Sequence, residues 1–199
     1  APLVKSDLSG SNQTKGAKMT DNTVKKSKSQ EDRLVYAGHQ PNLETGAEHF
    51  DSLHRDAHGT VLVWERLKGK MWTKLAPNDP NIPSFLNSLS GKKDTYLSVN
   101  EFDDWILTRL LRSLRAFYVD LDTKHSFLSV RDLLEEKRLP MVSLVVFSGN
   151  GMHLYWLIDP VPPKALPVWQ RVQNALYEAF RELGADVRAR DCTRVLRLV

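Results

Sequence analysis

A single cysteine, Cys192, in 199 residues excludes an internal disulfide and a cysteine-rich zinc site. It fits a reducing compartment and reads as a packed thiol, not a nucleophile. No apolar run approaches the roughly 20 residues that cross a bilayer, and the first residues lack the charged-then-apolar order of a secretory signal. The expectation is a soluble, cytoplasmic protein with no membrane partner. Internal repeats are missing too, which sets aside solenoids and propellers. Outside one segment the chain also lacks an excess of either charge. The formal net charge is +4, and it arises where Lys5, Lys15, Lys18, Lys25, Lys26 and Lys28 face only Asp7 and Asp21.

What is present is the composition of an ordinary globular protein, 41% hydrophobic and 26% charged, enough for one sizeable domain or two small packed subdomains. Residues 1–30 are rich in Ser, Lys, Asn, Thr and Gly without aliphatic periodicity and read as a flexible basic tail. Residues 31–199 read as the folded domain. The chain opens on Ala1, as a processed product or a piece of something longer would.

Val61–Trp64 and Met71–Leu75, split by Lys68-Gly69-Lys70, predict a hairpin. A short helix is expected over Ser84–Leu89 and a strand over Tyr96–Val99. After Asn100, the spacing of Phe102, Trp105, Ile106, Leu110 and Leu114 predicts a helix. Ala116–Asp122 is β-prone, and Ser129–Arg138 is helical. Val142–Phe147 and Met152–Ile158 flank Ser148-Gly149-Asn150-Gly151, a strong hairpin signal. Leu166, Trp169, Val172, Leu176, Phe180 and Leu183 lie on one face of a long helix that Gly184 ends. Thr193–Leu198 is a last strand. Strands and helices alternate around a central hairpin, so the fold class is α+β, with a mixed or antiparallel sheet and helices on one face.

Three segments can carry chemistry. On a strand, Asp120 and Asp122 point to the same side, and two hard oxygen donors so placed can hold Mg2+ or Mn2+. An isolated Asp-x-Asp, however, is more often a solvated strand end. In the turn, Gly149 and Gly151 allow a phosphate or sugar to approach the backbone, while His153 and Tyr155 share a face of the returning strand. The plain alternatives are a structural histidine and turn chemistry at Ser148. Near the end, Asp186 and Asp191 are both placed to complete a metal shell. Arg194 and Arg197 suit triphosphate or template phosphates, or simply line an exposed strand. Tyr155 and Trp72 can stack on a base or sugar.

Taken in order, the Asp-x-Asp, the Ser/Gly turn leading to His153 and the late Asp before a basic strand resemble the archaeo-eukaryotic primase superfamily, in particular the small primases of plasmids, phages and integrating elements. The resemblance covers roughly residues 60 to 199. It implies a catalytic subdomain of the RNA-recognition-motif (RRM) type packed against a smaller N-terminal α/β unit. It implies metal binding by Asp120, Asp122 and Asp191, phosphate contacts from Ser148, Gly149, Gly151 and His153, and nucleotide or template contacts from Arg194 and Arg197. The implied activity is DNA priming or polymerisation from nucleoside triphosphates on single-stranded DNA, during replication of a mobile element. Partners would include a C-terminal helical domain or a replicative helicase. Such primases run their last strand into a Pro/Gly turn ending in Asn, whereas this chain stops at Val199. The rival readings are a two-metal nuclease or mobilisation enzyme, and a non-catalytic module that binds single-stranded DNA or an origin.

Overall fold

A computed structural model describes residues 43–66, 71–92, 94–122 and 126–199. The expected basic tail and the expected turn at Lys68-Gly69-Lys70 lie outside these residues. The first helix, α1 (Gly46–His54), starts from a capping box. The Thr45 hydroxyl accepts the Glu48 N–H at 3.2 Å, and the Glu48 carboxylate accepts the Thr45 N–H at 3.1 Å, satisfying two donors that a helix start leaves free. The chain continues through β1 (Val61–Glu65), β2 (Met71–Leu75), α2 (Ile82–Leu89), β3 (Thr95–Ser98), β4 (Glu101–Phe102) and β5 (Leu111–Leu121). Then come α3 (Phe127–Glu136), β6 (Leu144–Phe147), β7 (Met152–Val161), α4 (Leu166–Phe180) and β8 (Val195–Arg197).

The fold is α+β, as expected, and its strands form two four-stranded antiparallel sheets, β2-β1-β3-β8 and β4-β5-β7-β6. Alternation along the second sheet separates two cores. Val119, Leu121, Val145, Met152, Leu154 and Trp156 point to one side and bury against Phe127, Val130 and Leu134 of α3 and Leu176 and Phe180 of α4. Ala116, Tyr118, Leu144, Val146 and Tyr155 point to the other side and join the core of the first sheet and α1. The sheet is therefore covered on both faces. Toward its end the second face carries Asp120, 17% exposed, opposite the buried His153.

Helix α4 also closes the open edge of β5. Gln173, fully buried, accepts the Tyr118 N–H at 3.2 Å and donates to the Tyr118 carbonyl at 2.5 Å, while the Trp169 indole donates to the Ala116 carbonyl at 3.0 Å. Backbone groups that a sheet edge would leave exposed are thereby satisfied.

The helix expected after Asn100 is not formed. Asn100 is buried and, instead of capping a helix, ties two strands to the C-terminal loop, accepting the Arg115 N–H at 2.9 Å and donating to the Cys192 carbonyl at 3.0 Å. Phe102, Leu111 and Leu114 are buried through strand pairing, whereas Trp105 and Leu107 stay exposed. The helical spacing was a coincidence between two strands and the bend that joins them. The other predicted elements are present with shifted ends.

Candidate active site

Strands β5 and β7 pair with Asp120 opposite His153, which puts both side chains on the face away from α3 and α4. His153 Nε2 lies 3.4 Å from Asp120 Oδ1 without hydrogen-bond alignment. Asp120 Oδ1 and His153 Nδ1 are both buried and have no protein partner. Buried polar atoms are rarely left so, and functional sites are where exceptions occur.

The sequence places glycine at 151 for a steric reason. A Cβ there would sit 1.7 Å from the Leu121 carbonyl oxygen, so the turn lies hard against the end of β5 that carries the acids. Gly149 has φ +91° but open space around it. The turn closes through Ser148, whose N–H donates to the Gly151 carbonyl at 3.0 Å and whose hydroxyl oxygen accepts the Gly151 N–H at 3.2 Å. Gly149→Ala is expected to cost about 1–2 kcal/mol from backbone strain alone. Gly151→Ala should cost about 3 kcal/mol or more, because β5 or the turn must move. Thermal melts should rank the two variants in that order.

A third segment arrives from the C-terminal side. Ala185 bridges to Leu121, and the Asp186 N–H donates to the Asp120 carbonyl at 2.8 Å. Burial, then the charges of Asp122 and Asp186, push the Asp120 carboxyl up to about 6, against the opposing charges of Arg194 and Arg188. Burial alone would raise Asp186 too. Hydrogen bonds from the Arg188 N–H and side chain, at 2.9 and 3.1 Å, with the charges of Arg188 and Arg194, hold it below the usual aspartate range. Burial, then the charges of Arg197 and Arg194, lowers the His153 imidazole to about 3. It is neutral near pH 7, so its closeness to Asp120 is no ion pair.

Of the residues singled out in the sequence, the structure brings Asp120 and His153 side by side, places Asp122 and Arg194 within electrostatic reach of Asp120 and Arg194 and Arg197 within reach of His153, and sets the Ser148–Gly151 turn against the end of β5. Asp191 makes its hydrogen bonds within its own loop and to Tyr118. Its carboxylate accepts the Thr193 N–H at 2.9 Å and the Thr193 hydroxyl, and its carbonyl accepts the Tyr118 hydroxyl. Sequence reading had no signal for His49 of α1. It is fully buried with both ring nitrogens unpartnered, and its ring meets Tyr155 edge-on at 5.7 Å.

Among the described residues, no three His, Cys, Asp or Glu side chains form a ready-made metal cage. The acids present suit a less demanding ion. Mg2+ keeps several waters and is commonly held by one or two carboxylates with substrate phosphates. A partnerless buried oxygen on Asp120, in a carboxyl that burial and then neighbouring acids discourage from ionising, is a donor that a cation would relieve.

No protein-family model matches the chain. A 95-residue stretch, 44% of the chain, is 38% identical to part of a replication protein of Clostridium perfringens, covering 23% of that protein. A 112-residue stretch, 55% of the chain, is 26% identical to part of mitochondrial substrate carrier family protein C of Dictyostelium discoideum, again 23% of its length. The chain thus spans about a quarter of the curated relatives it matches. Among the described residues no helix is long and apolar enough to cross a membrane. The fold is that of the AEP domain of the cyanophage S-2L primase-polymerase, with a TM-score of 0.54, 22% identity, and coverage of 76% of this chain and 78% of that one.

Proposed function

We propose that the face bearing Asp120, Asp122 and His153 joins nucleotides on a single-stranded DNA template, as a primase or primase-polymerase serving the replication of a mobile element. The observation that carries this reading is the Asp120–His153 pairing across β5 and β7, with Arg194 of the C-terminal segment acting on both, Arg188 on Asp120 and Arg197 on His153. The fold shared with a primase-polymerase domain and the partial likeness to a replication protein support it.

Asp120 and Asp122 would hold Mg2+ or Mn2+, which when bound supplies positive charge to the reacting phosphate and lowers the pKa of the attacking hydroxyl. Asp186 is the better third carboxylate than Asp191, because it hangs from the Asp120 backbone whereas Asp191 is engaged with Thr193. Arg194 and Arg197 each carry a buried Nε without a partner and would clamp the triphosphate of the incoming nucleotide. Ser148 gives its oxygen to Gly151 and keeps its hydroxyl hydrogen for a phosphate oxygen. His153, held neutral, can donate one hydrogen bond to a phosphate without adding charge. With the triphosphate so fixed, a 3′-hydroxyl attacks the α-phosphate and pyrophosphate leaves, the acceleration coming from positioning and electrostatics.

The test is synthesis from labelled nucleotides on a single-stranded template with Mg2+ or Mn2+ and no primer, beside an Asp120→Ala, Asp122→Ala double variant. Short products from the wild type alone are expected. Products only when a primer is supplied would make the protein a polymerase or gap-filling enzyme. Metal-dependent cleavage of the template would favour the nuclease reading. Template binding that is indifferent to metal and to both substitutions, with no product on either substrate, would leave a non-catalytic binding module.

A further inference from the structure

The face of the first sheet that carries Trp64 presents one row of side chains straight across all four strands. Trp72 of β2 is opposite Trp64 of β1, Trp64 is opposite Tyr96 of β3, and Tyr96 is opposite Arg197 of β8. The rings stand against one another. Trp72 and Trp64 stack at 5.7 Å between centroids, Trp64 and Tyr96 lie at 5.1 Å, and the Arg197 guanidinium sits 5.4 Å from the Tyr96 ring. At the outer end Lys74, two residues beyond Trp72 and so on the same face, places its ammonium 4.4 Å over the ring of Trp105.

The row differs from core. Trp64, Trp72, Tyr96 and Arg197 are only partly buried and Trp105 is 41% exposed, whereas Val63, Leu97 and Leu196, which point to the opposite face, are buried. Three of the chain's five tryptophans thus meet solvent on one surface. The inner end is not arbitrary either, because Arg197 is one of the two charges that act on His153. Strands stand about 4.8 Å apart, so the row runs on the order of 14 Å from the sheet edge to the catalytic face.

We propose that this row, Trp72, Trp64, Tyr96 and Arg197 with Trp105 and Lys74 at its outer end, is a stacking track that leads single-stranded template DNA to the active site. The proposal rests on the functional reading above and adds the path of the template to it. Aromatic faces bind every base alike, and flanking cations follow the phosphates, which is what a template strand read only by base pairing requires. At the outer end Lys74 is held meanwhile by Asp104, an acid it can exchange for a template phosphate, and at the inner end Arg197, 3.8 Å from Asp94, marks where the track meets the triphosphate site.

The experiment measures binding of a fluorescent oligothymidylate to the full chain by anisotropy, with wild type, Trp72→Ala, Trp72→Phe, Trp105→Ala and Asp120→Asn. Trp72→Ala and Trp105→Ala should each bind roughly 5- to 150-fold more weakly, the worth of one base stacked on one ring, and Trp72→Phe should recover most of the loss. Asp120→Asn should bind as wild type does. Trp105, on an exposed bend, can be removed without touching the core, so its variant decides the matter even if Trp72→Ala fails to fold. Wild-type affinity in both alanine variants overturns the track, and so does a preference for oligouridylate over oligothymidylate. Nucleotide incorporation is read separately. If Asp120→Asn abolishes synthesis while the alanine variants bind normally, the track is wrong and the catalytic reading stands. If the wild type makes no product and the alanine variants lose affinity, the track stands without it.

Discussion

Asp120→Asn should leave a protein that is more stable than wild type in divalent-free buffer and about a thousandfold less active with divalent metal present. The stability gain follows from linkage. Folding raises the Asp120 carboxyl from its ordinary 3.8 to about 6, so between those values the folded state keeps a proton that the unfolded state has shed. The stability that the protonated group contributes is complete below 3.8 and is lost as pH rises through about 6. That displacement corresponds to about 3 kcal/mol for a side chain 17% exposed. Asparagine carries no charge, so the advantage of the variant should grow across that pH window and level off above it. Thermal melts in chelator at several pH values check this. Added Mn2+ should then stabilise wild type and not the variant, because a ligand of the folded state adds to its stability. The activity loss reflects the several kcal/mol of transition-state charge stabilisation that a held metal supplies.

The second large effect lies away from that face. Glu101 and Arg115 are 3% and 4% exposed and bond at 2.9 Å. Glu101 also accepts the Ser113 hydroxyl at 2.6 Å, the His58 N–H at 2.8 Å and the Gly59 N–H, while Arg115 reaches the Leu53 carbonyl at 3.2 Å and Asp56 at 2.6 Å. These contacts tie the end of α1 and the loop after it to the start of the second sheet. Burial works against the Glu101 charge, but Ser113, His58, Arg115 and Gly59 outweigh it and hold the carboxyl at about 2. Glu101→Ala leaves Arg115 buried with only the exposed Asp56 as a charge partner, and should cost about 3–5 kcal/mol. For a chain of this size that lowers the melting temperature by roughly 6–20 °C. Glu101 contributes stability above its ordinary value of 4.5 that is lost as pH falls toward about 2, so wild type and variant should converge in acid.

No sequence motif announces this network. Glu101 and Arg115 are ordinary charged residues whose meeting depends on β4 pairing with β5, and β4 lies inside the segment whose spacing imitated a helix. Helix α1 was silent for a related reason. It is nine residues long, polar, and marked only by Thr45 and Glu48 at capping-box spacing. The hairpin of β6 and β7, the strand carrying Asp120 and the long helix α4 were legible because alternation, Asn150-Gly151 and one apolar stripe each point to a single answer. Alternation also put His153 and Tyr155 on one face, and Asp120 shares it across the strand pair. That Asp186 would approach Asp120 was not legible, since the approach depends on a bridge between Leu121 and Ala185, a contact far apart in sequence. Nor does a strand pattern name its partner. Strand β8 joins the first sheet, and from there Arg197 spans the distance between the aromatic row and His153.

The most direct measurement is Mn2+ binding followed by electron paramagnetic resonance, with and without a nucleoside triphosphate, in wild type, Asp120→Asn, Asp186→Asn and Asp191→Asn. The account predicts a site in wild type that tightens with the nucleotide, disappears in Asp120→Asn, weakens in Asp186→Asn and is unchanged in Asp191→Asn. Equal Mn2+ binding in wild type and Asp120→Asn would contradict it.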